Sequence, residues 1–225
     1  MSEPRTDSHT KAAAVPAMAA RERRPGAQPL SDDTRLAIDI RELVARGEMD
    51  LARERFGDLV AMQQRRASRL AFQYLRDGAE ADEAVQDAFV KVFSHIGSYR
   101  EAWPFEVWFT RILINGCLDR RRARARRDRW FVAADEANDA SSAGTSPGAP
   151  AADPESLLLS RERRARLAAA IDHLDGRQRT VFMLCHFGDC TPREVGAITG
   201  LNESTVRVHL FRAARKLRGL LGGLS

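Results

Sequence analysis

Cysteines and long apolar runs are scarce in this chain of 225 residues. Its three cysteines, Cys117, Cys185 and Cys190, form an odd number without paired spacing, and no secretory signal precedes them, so we expect a reducing, cytoplasmic location. No apolar run approaches the ~18 residues that a membrane-spanning helix needs, and we predict no membrane insertion. Cys185, His186 and Cys190 are candidate zinc ligands, but a structural zinc site needs a second ligand pair, which the sequence lacks. We therefore expect no metal and no cofactor.

Alternating strand patterns are also missing, whereas helical periodicity recurs in two separate parts of the chain. This pattern predicts an all-α protein with two small helical domains joined by a flexible linker. Charged residues make up 30% of the chain and its formal net charge is +5. This balance favours an acidic partner such as nucleic acid, although many soluble proteins share it.

The most complete local signal is a helix-turn-helix in the stretch TPREVGAITGLNESTVRVHLFRAARKLRGLL, residues 191–221. Thr191 is a suitable helix cap, and Glu194 stands three residues later, where it closes a capping box. Gly200 ends this first helix because it tolerates a positive φ, and Asn202 caps the second helix.

The second helix of this motif has two distinct faces. Its apolar residues share one face that we expect to pack inward: Val206, Leu210, Ala213 and Leu217. The opposite face carries Ser204, Arg207, Val208, Phe211, Arg215 and Arg218. A helix with a buried stripe and a basic outer stripe suits the DNA major groove, but a plain helical hairpin with a solvated basic face has the same pattern.

The N-terminal part divides into a tail and a helical domain. Residues 1–33 contain four prolines and no sustained apolar period, which predicts a disordered tail. From residue 34 to 129 we predict the first domain, with helix stops at Gly47 and at Asp77 and a helix cap at Asp50.

Within this domain, the helix ADEAVQDAFVKVFSHI at residues 81–96 has an apolar face and an acidic start. The polar residues at its start are Asp82, Glu83, Gln86 and Asp87. Carboxylates there compensate the helix dipole, which is the simplest interpretation, and a docking site for a basic protein surface is the alternative. A catalytic carboxylate cluster is disfavoured because no proton-transfer partner stands nearby in the sequence.

A loop and an arginine block follow. Tyr99, Arg100 and Trp103 lie in the loop GSYREAWP, where they either stack on unpaired bases or pack over the core. After the next helix, the run RRRARARRDR at residues 120–129 contains seven arginines, which favours contact with phosphates.

The second domain follows a change of composition. Residues 130–156 are rich in Ala, Ser, Gly and Pro and carry acidic residues but no Lys or Arg. This composition predicts a flexible acidic linker, either solvated or placed in a basic channel of a partner. Residues 157–225 then predict a four-helix domain that ends in the helix-turn-helix, with Asp175 and Gln178 forming one of its caps.

With both halves placed, the chain resembles the bacterial RNA polymerase sigma factors of the extracytoplasmic-function group. The stretch ADEAVQDAFVKVF is similar to the family's polymerase-binding helix, and FEVWFTRILINGCLDRRR is similar to its promoter-melting helix. The stretch from residue 174, LDGRQRTVFMLCHFGDCTPREVGAITGLNESTVRVHLFRAARKLR, resembles the domain that reads the −35 element. Two motifs in this order, on either side of a linker, are more specific than either alone.

The resemblance implies a transcription initiation factor that is not an enzyme. Its implied partners are core RNA polymerase, through the coiled coil of the largest subunit and the flap, promoter DNA, and an anti-sigma factor. Docking on polymerase is implied for Asp82, Glu83, Gln86 and Asp87. Contact with the −10 element is implied for Tyr99, Arg100, Trp103, Asn115, Arg121 and Arg122, and contact with the −35 element for Ser204, Thr205, Arg207, Val208, Phe211, Arg212 and Arg215.

Some positions depart from the family pattern. The usual Glu-Asp pair of the docking helix is Asp82-Glu83 here, Asp175 stands where the family has Pro, and Ala214 replaces a basic residue. The rival interpretation is a free-standing helix-turn-helix regulator, which predicts duplex binding at a palindromic site without polymerase.

Overall fold

The computed structural model describes residues 30–132 and 154–222. Within these ranges the chain forms eight α-helices and one short 3₁₀ turn, Ile96–Ser98, and no strand. The helices are α1 Asp32–Arg46, α2 Met49–Leu75, α3 Gly78–His95, α4 Phe105–Val132, α5 Pro154–Asp172, α6 Gly176–His186, α7 Pro192–Thr199 and α8 Glu203–Gly222. The predicted all-α class is therefore confirmed, with α1 to α4 forming a first module and α5 to α8 a second.

The first module begins earlier than the sequence indicates. The predicted tail includes Asp33, yet this residue is buried in α1, where its carboxylate accepts a hydrogen bond from Gln63 Nε2 at 2.9 Å. The neighbouring Thr34 hydroxyl accepts from the backbone N–H of Phe105 at 3.0 Å. These buried polar groups connect the start of α1 to α2 and α4, so the first helix is part of the fold from its first turn. Most of the predicted tail, residues 1–29, lies outside the described residues.

Helix boundaries in the first module follow local capping chemistry. Gly47 ends α1 with φ 79°, as predicted. The predicted cap at Asp50 is wrong, because Glu48 occupies the N-cap position of α2 and Asp50 lies inside its first turn. Arg76 ends α2 in the left-handed region, and the carboxylate of Asp77 then accepts from the Glu80 N–H at 2.9 Å to begin α3.

Aromatic rings join the helices of the first module. Phe89 of α3 stacks on Phe109 of α4, with ring centroids 4.9 Å apart. The ring centroid of Phe56 in α2 lies 4.9 Å from that of Phe93 in α3. Ring pairs at such distances stabilise a core beyond their buried area, and these two join α2 to α3 and α3 to α4.

The helix-turn-helix forms through the predicted caps. The Thr191 hydroxyl accepts from the Glu194 N–H, and the Glu194 carboxylate accepts from the Thr191 N–H at 2.8 Å, which completes the capping box. Gly200 ends α7 with φ 76°, and Asn202 Oδ1 accepts from the Thr205 N–H at 2.7 Å to cap α8. Gly196 has its own packing role, because a Cβ there would approach the Leu201 carbonyl oxygen to 2.8 Å.

Two predicted boundaries of the second module differ from the structure. The predicted linker spans residues 130–156, but α4 continues to Val132 and α5 begins at Pro154; residues 133–153 lie outside the described residues. Asp175 occupies the N-cap position of α6, as predicted, but its side chain makes no capping hydrogen bond. The two modules are in contact through several helices, of which α4 and α7 share the most extensive contact.

Candidate protein and nucleic-acid interfaces

One side of α3 presents the acidic residues that the sequence singled out. Asp82, Glu83, Gln86 and Asp87 are all exposed, while their neighbours Ala84, Val85 and Ala88 are buried. Their spacing of three and four places them along one stripe of the helix. The structure therefore brings all four predicted residues together on one surface, which we call the acidic face.

Arg120 of α4 lies against this acidic face and pairs with two of its carboxylates. Its guanidinium donates to Glu83 Oε2 at 2.9 Å and to Asp87 Oδ2 at 2.5 Å. Glu83 and Asp87 are like charges at i and i+4 and repel each other, and Arg120 bridges them. Burial opposes the charge of Arg120, but the bonds to Asp87 and Glu83 outweigh that effect and raise its pKa above the ordinary value.

This bridge divides the arginine block at residues 120–129. Arg120 is only 28% exposed and faces α3. Arg124 also faces α3, with its Nη1 3.9 Å from Glu80 Oε2. The exposed Arg122 pairs with Asp119 at 3.1 Å within its own helix, and Arg121 is half-buried. The sequence predicts a uniform phosphate-binding run, and nothing in its spacing shows which arginines turn toward α3.

Tyr99 requires a correction. The residues alone leave two roles open, stacking on unpaired bases or packing over the core, and the resemblance implies contact with the −10 element. The ring is fully buried, 5.3 Å from the Trp108 ring and 5.8 Å from the Phe105 ring, so it packs over the core. Its hydroxyl donates to the carbonyl of Trp103 at 3.0 Å. Tyr99 therefore holds the loop onto α4 and offers no face for a base to stack on in this conformation.

The other predicted loop and helix residues are accessible to a partner. Arg100 is exposed and donates to the carbonyl oxygens of Gly97 and Tyr99 at 2.8 and 3.0 Å. Trp103 is half-buried, and the exposed Asn115 lies two turns or more along α4 from the loop.

The outer face of α8 carries the residues for which the resemblance implies contact with the −35 element. Phe211 is 68% exposed and Val208 is 47% exposed, although both are large apolar side chains. Arg207, Arg212 and Arg215 are also exposed on this helix. Exposed apolar groups beside arginines suit contact with thymine methyl groups and guanine edges in the major groove.

Hydrogen bonds within α8 position the start of this surface. The Ser204 hydroxyl donates to Asn202 Oδ1 at 2.8 Å, and the half-buried Thr205 donates its N–H to the same oxygen. Arg207 pairs with Glu203 at 2.5 Å, one turn earlier. The inner face is anchored by Val206, Ala213 and Leu217, which are buried as predicted.

These surfaces define a class of protein. One module carries a helix-turn-helix with a basic and apolar outer face, and the other combines exposed arginines with a separate acidic face that suits a basic protein. The described residues contain no group of three or more His, Cys, Asp or Glu side chains placed to hold a metal ion. Among them no helix has the length and apolar character needed to cross a membrane. The arrangement is typical of a modular DNA-binding protein that carries a helix-turn-helix in one of its modules.

Comparison with known families identifies the class more narrowly. The model of Sigma-70 region 2 matches residues 59–127, and the model of Sigma-70, region 4 matches residues 164–217. The chain is 30% identical over 159 residues to the ECF RNA polymerase sigma-E factor of Escherichia coli, covering 70% of this chain and 82% of that protein. It is also 29% identical over 166 residues to the RNA polymerase sigma factor CnrH of Cupriavidus metallidurans, covering 74% and 86% of the two chains.

A third relative is longer than the region it shares with this chain. The ECF RNA polymerase sigma factor SigE of Mycolicibacterium smegmatis is 30% identical over 168 residues, which cover 73% of this chain and 60% of the relative. These matches show the family: the chain belongs to the extracytoplasmic-function group of RNA polymerase sigma factors. It is a transcription initiation factor that directs RNA polymerase to promoters.

Solved structures agree with this fold. CnrH in complex with the cytosolic domain of CnrY has a TM-score of 0.60 at 23% identity, covering 87% of this chain and all of that one. The sigma factor RpoE of Bartonella quintana, in complex with the anti-sigma factor NepR, has a TM-score of 0.59 at 18% identity and covers 76% of this chain and 98% of that one. At these identities the likeness concerns the two-module helical architecture.

Proposed function

We propose that the acidic face of α3 is the surface by which this sigma factor binds core RNA polymerase. Asp82, Glu83, Gln86 and Asp87 are exposed on one stripe, and three carboxylates there complement a basic surface such as the coiled coil of the largest subunit. The second module contacts the flap, so that polymerase holds the two modules apart. The observation that carries this proposal is the exposed acidic face within the region that matches Sigma-70 region 2.

The loop and α4 contact the −10 element and stabilise its open form. The residues with accessible side chains for this role are Arg100, Trp103, Asn115, Arg121 and Arg122. Trp103 offers a ring for an unstacked base, Asn115 offers an amide for its edge, and the arginines contact phosphates. Strand opening then uses binding energy alone, and the chain itself performs no bond chemistry.

The outer face of α8 reads the −35 element as intact duplex in the major groove. The residues on this face are Ser204, Thr205, Arg207, Val208, Phe211, Arg212 and Arg215. Their exposure, the match to Sigma-70 region 4, and the capped N-terminus of α8 support this placement, because recognition helices contact bases through their N-terminal half.

Regulation by an anti-sigma factor and action in the cytoplasm belong to the same proposal. Two solved relatives were captured with CnrY or with the anti-sigma factor NepR, and a protein with exposed polymerase and DNA surfaces needs a means of being held inactive. RNA polymerase works on chromosomal DNA, which places this chain in the cytoplasm. A free-standing regulator is not favoured, because it would have no use for the module that matches Sigma-70 region 2.

Run-off transcription tests the proposal. Purified chain and core RNA polymerase are combined on a fragment from upstream of the chain's own gene, and we expect a discrete transcript that neither component makes alone. The variant Asp87→Lys should abolish the transcript, whereas Glu54→Lys, the same charge reversal on the exposed side of α2, should leave it unchanged. A transcript of equal yield with core polymerase alone would contradict the proposal.

A further inference from the structure

We propose that Arg41 of α1 is a positioning residue for contact with the −10 element. It holds the loop of residues 99–104, which precedes α4, in the conformation that presents Trp103 to an unstacked base, and it does so without touching DNA. The inference rests on the proposed function, because it concerns how that same surface is organised. It is carried by the contacts that join α1 to the loop.

Arg41 reaches the loop from a distant part of the chain. Its Nη1 donates to the backbone carbonyl of Tyr99, 58 positions later, at 3.1 Å, and lies 2.6 Å from Glu101 Oε1. One nitrogen therefore bridges a main-chain carbonyl and a carboxylate of the same loop. The side chains of Arg41 and Glu101 are only 24% and 33% exposed, so this ion pair is less screened by solvent than a pair at the open surface.

Bonds within the loop depend in part on a residue that has another task. The Tyr99 hydroxyl donates to the carbonyl of Trp103 at 3.0 Å, and Arg100 donates to the carbonyls of Gly97 and Tyr99. Arg100 is also proposed to contact DNA, and a guanidinium that turns toward a phosphate gives up its bonds to the loop. Because a carbonyl oxygen accepts two hydrogen bonds, Arg41 still holds Tyr99 when Arg100 leaves.

A second contact from α1 holds the far end of the loop. The buried hydroxyl of Thr34 accepts from the backbone N–H of Phe105 at 3.0 Å. Trp103 lies between Phe105 and the residues that Arg41 contacts, so α1 fixes the backbone on both sides of this ring. The match to Sigma-70 region 2 covers residues 59–127, and the positioning contacts thus come from a helix outside it.

A positioning residue and a phosphate-binding residue affect DNA binding differently. A phosphate would have to compete with Glu101 for the Arg41 guanidinium. Loss of a phosphate contact weakens binding to all sequences and makes the dependence of log affinity on log salt concentration less steep. Loss of a residue that only holds the loop weakens binding solely where the loop receives a base, and it leaves the salt dependence unchanged.

Without Arg41, the loop must be ordered when DNA binds instead of when the chain folds. Ordering one side chain at an interface lowers affinity by about 2- to 12-fold. We therefore expect a loss of about this size when the ring of Trp103 is no longer held in place. A strand that lacks the captured base does not need the ordered loop, so its affinity should not change.

Titration of holoenzyme with single-stranded DNA tests this inference. The probe is the non-template strand of the promoter fragment used for run-off transcription, and an abasic site is moved along it to find the position where the unmodified holoenzyme loses most affinity. Holoenzyme with Arg41→Ala should bind the intact strand about 2- to 12-fold more weakly. It should bind the strand that is abasic at that position as tightly as unmodified holoenzyme does, with the same salt dependence and the same affinity of the chain for core polymerase.

Matched variants separate positioning from misfolding. Arg46→Ala, on the same helix, removes an exposed pair with Glu48 and should change neither strand affinity nor loop exchange. Arg41→Gln keeps most of the packed stem but not the charge, and it should weaken binding of the intact strand alone, by less than Arg41→Ala does. In the free chain, hydrogen–deuterium exchange of residues 97–104 should be faster in both Arg41 variants.

The outcomes distinguish this inference from the proposed function. Equal weakening of the intact and abasic strands with a less steep salt dependence would identify Arg41 as a phosphate contact and overturn the inference. Unchanged loop exchange in the Arg41 variants, or unchanged affinity of Arg41→Gln for the intact strand, would also overturn it, even if Arg41→Ala proved too unstable to bind polymerase. An unmodified holoenzyme that prefers the intact strand over no abasic strand would instead refute the proposed capture of a base.

Discussion

Charge reversal at Asp87 tests the proposed docking role separately from folding, because the same residue also forms an ion pair with Arg120. Asp87 is exposed on the acidic face, and its Oδ2 pairs with Arg120 at 2.5 Å. The variant Asp87→Lys removes that ion pair and places a second cation beside Arg120. Exposed ion pairs contribute about 0.2 to 1 kcal/mol, and a like-charge contact costs a similar amount, so we expect a loss of ~0.5 to 2 kcal/mol in unfolding free energy.

The effect on polymerase binding should be larger than the effect on stability. Removal of one partner from a hydrogen-bonded charge pair at an interface costs about 2 to 5 kcal/mol, which weakens binding about 30-fold to several thousand-fold. Fluorescence anisotropy of the labelled chain, titrated with core polymerase at fixed ionic strength, measures this change. Glu54→Lys is the control for net charge, since position 54 is exposed on α2 and is not one of the four residues of the acidic face.

A second substitution restores stability without restoring docking. In the double variant Asp87→Lys with Arg120→Gln, the competing cation is gone, and the introduced lysine follows Glu83 by four residues, the favourable order for a helical ion pair. We expect urea unfolding of this variant to return to within ~0.5 kcal/mol of the unmodified protein, while its affinity for polymerase stays as low as that of Asp87→Lys alone. Recovery of polymerase affinity together with stability would show that Asp87 acts through folding, and our assignment of the acidic face would be refuted.

Three further predictions concern the second module and the buried thiols. Arg207→Ala should weaken the binding of holoenzyme to a −35 duplex by ~1 to 3 kcal/mol, measured by competition gel shifts, and should leave the affinity for polymerase unchanged. Lys216 lies on the opposite side of α8, so an equal loss of DNA binding in Lys216→Ala would contradict a specific role for Arg207. Thr191→Ala should lower the free energy of unfolding by about 1 kcal/mol, because the capping box is lost. Thermal unfolding followed by circular dichroism measures this change, and an unchanged unfolding midpoint would show that the capping box does not stabilise the module. Burial raises the pKa of Cys117 and of Cys190 to about 12, so on raising the pH the thiols ionise in the unfolded chain before they ionise in the folded one. The free energy of unfolding, measured by urea denaturation, should therefore fall as the pH rises from about 9 to 12. If Cys117→Ala shows an equally large fall, the buried thiols are not its cause.

The arginine block illustrates how one charged run serves two purposes. Arg120 and Arg124 turn toward acidic side chains of α3, whereas Arg122 is exposed on the other side of α4. The acidic face proposed to bind polymerase is therefore joined through Arg120 to the helix proposed to bind the −10 element. The two proposed surfaces therefore share one ion-paired residue, Arg120.

Much of the molecule follows from local sequence. The capping box at Thr191, the left-handed Gly200 and the cap at Asn202 depend on atoms no more than four residues apart, and all three occur as predicted. The two faces of α8 follow from helical periodicity in the same way, as does the stripe of acidic residues on α3. Family membership was also recognisable, because the two motifs stand in order along the chain.

Tertiary structure decided which polar and aromatic groups remain available to a partner. Tyr99 is buried against α4, Asp33 bonds to a residue 30 positions away, Arg120 reaches 33 positions back to Asp87, and Arg66 reaches 122 positions forward to Gly188. Periodicity shows which face of a helix is apolar, but not which helix covers it or how the two cross. The partner of a side chain depends on that crossing, and so the division between structural and functional residues emerges only when the helices are packed.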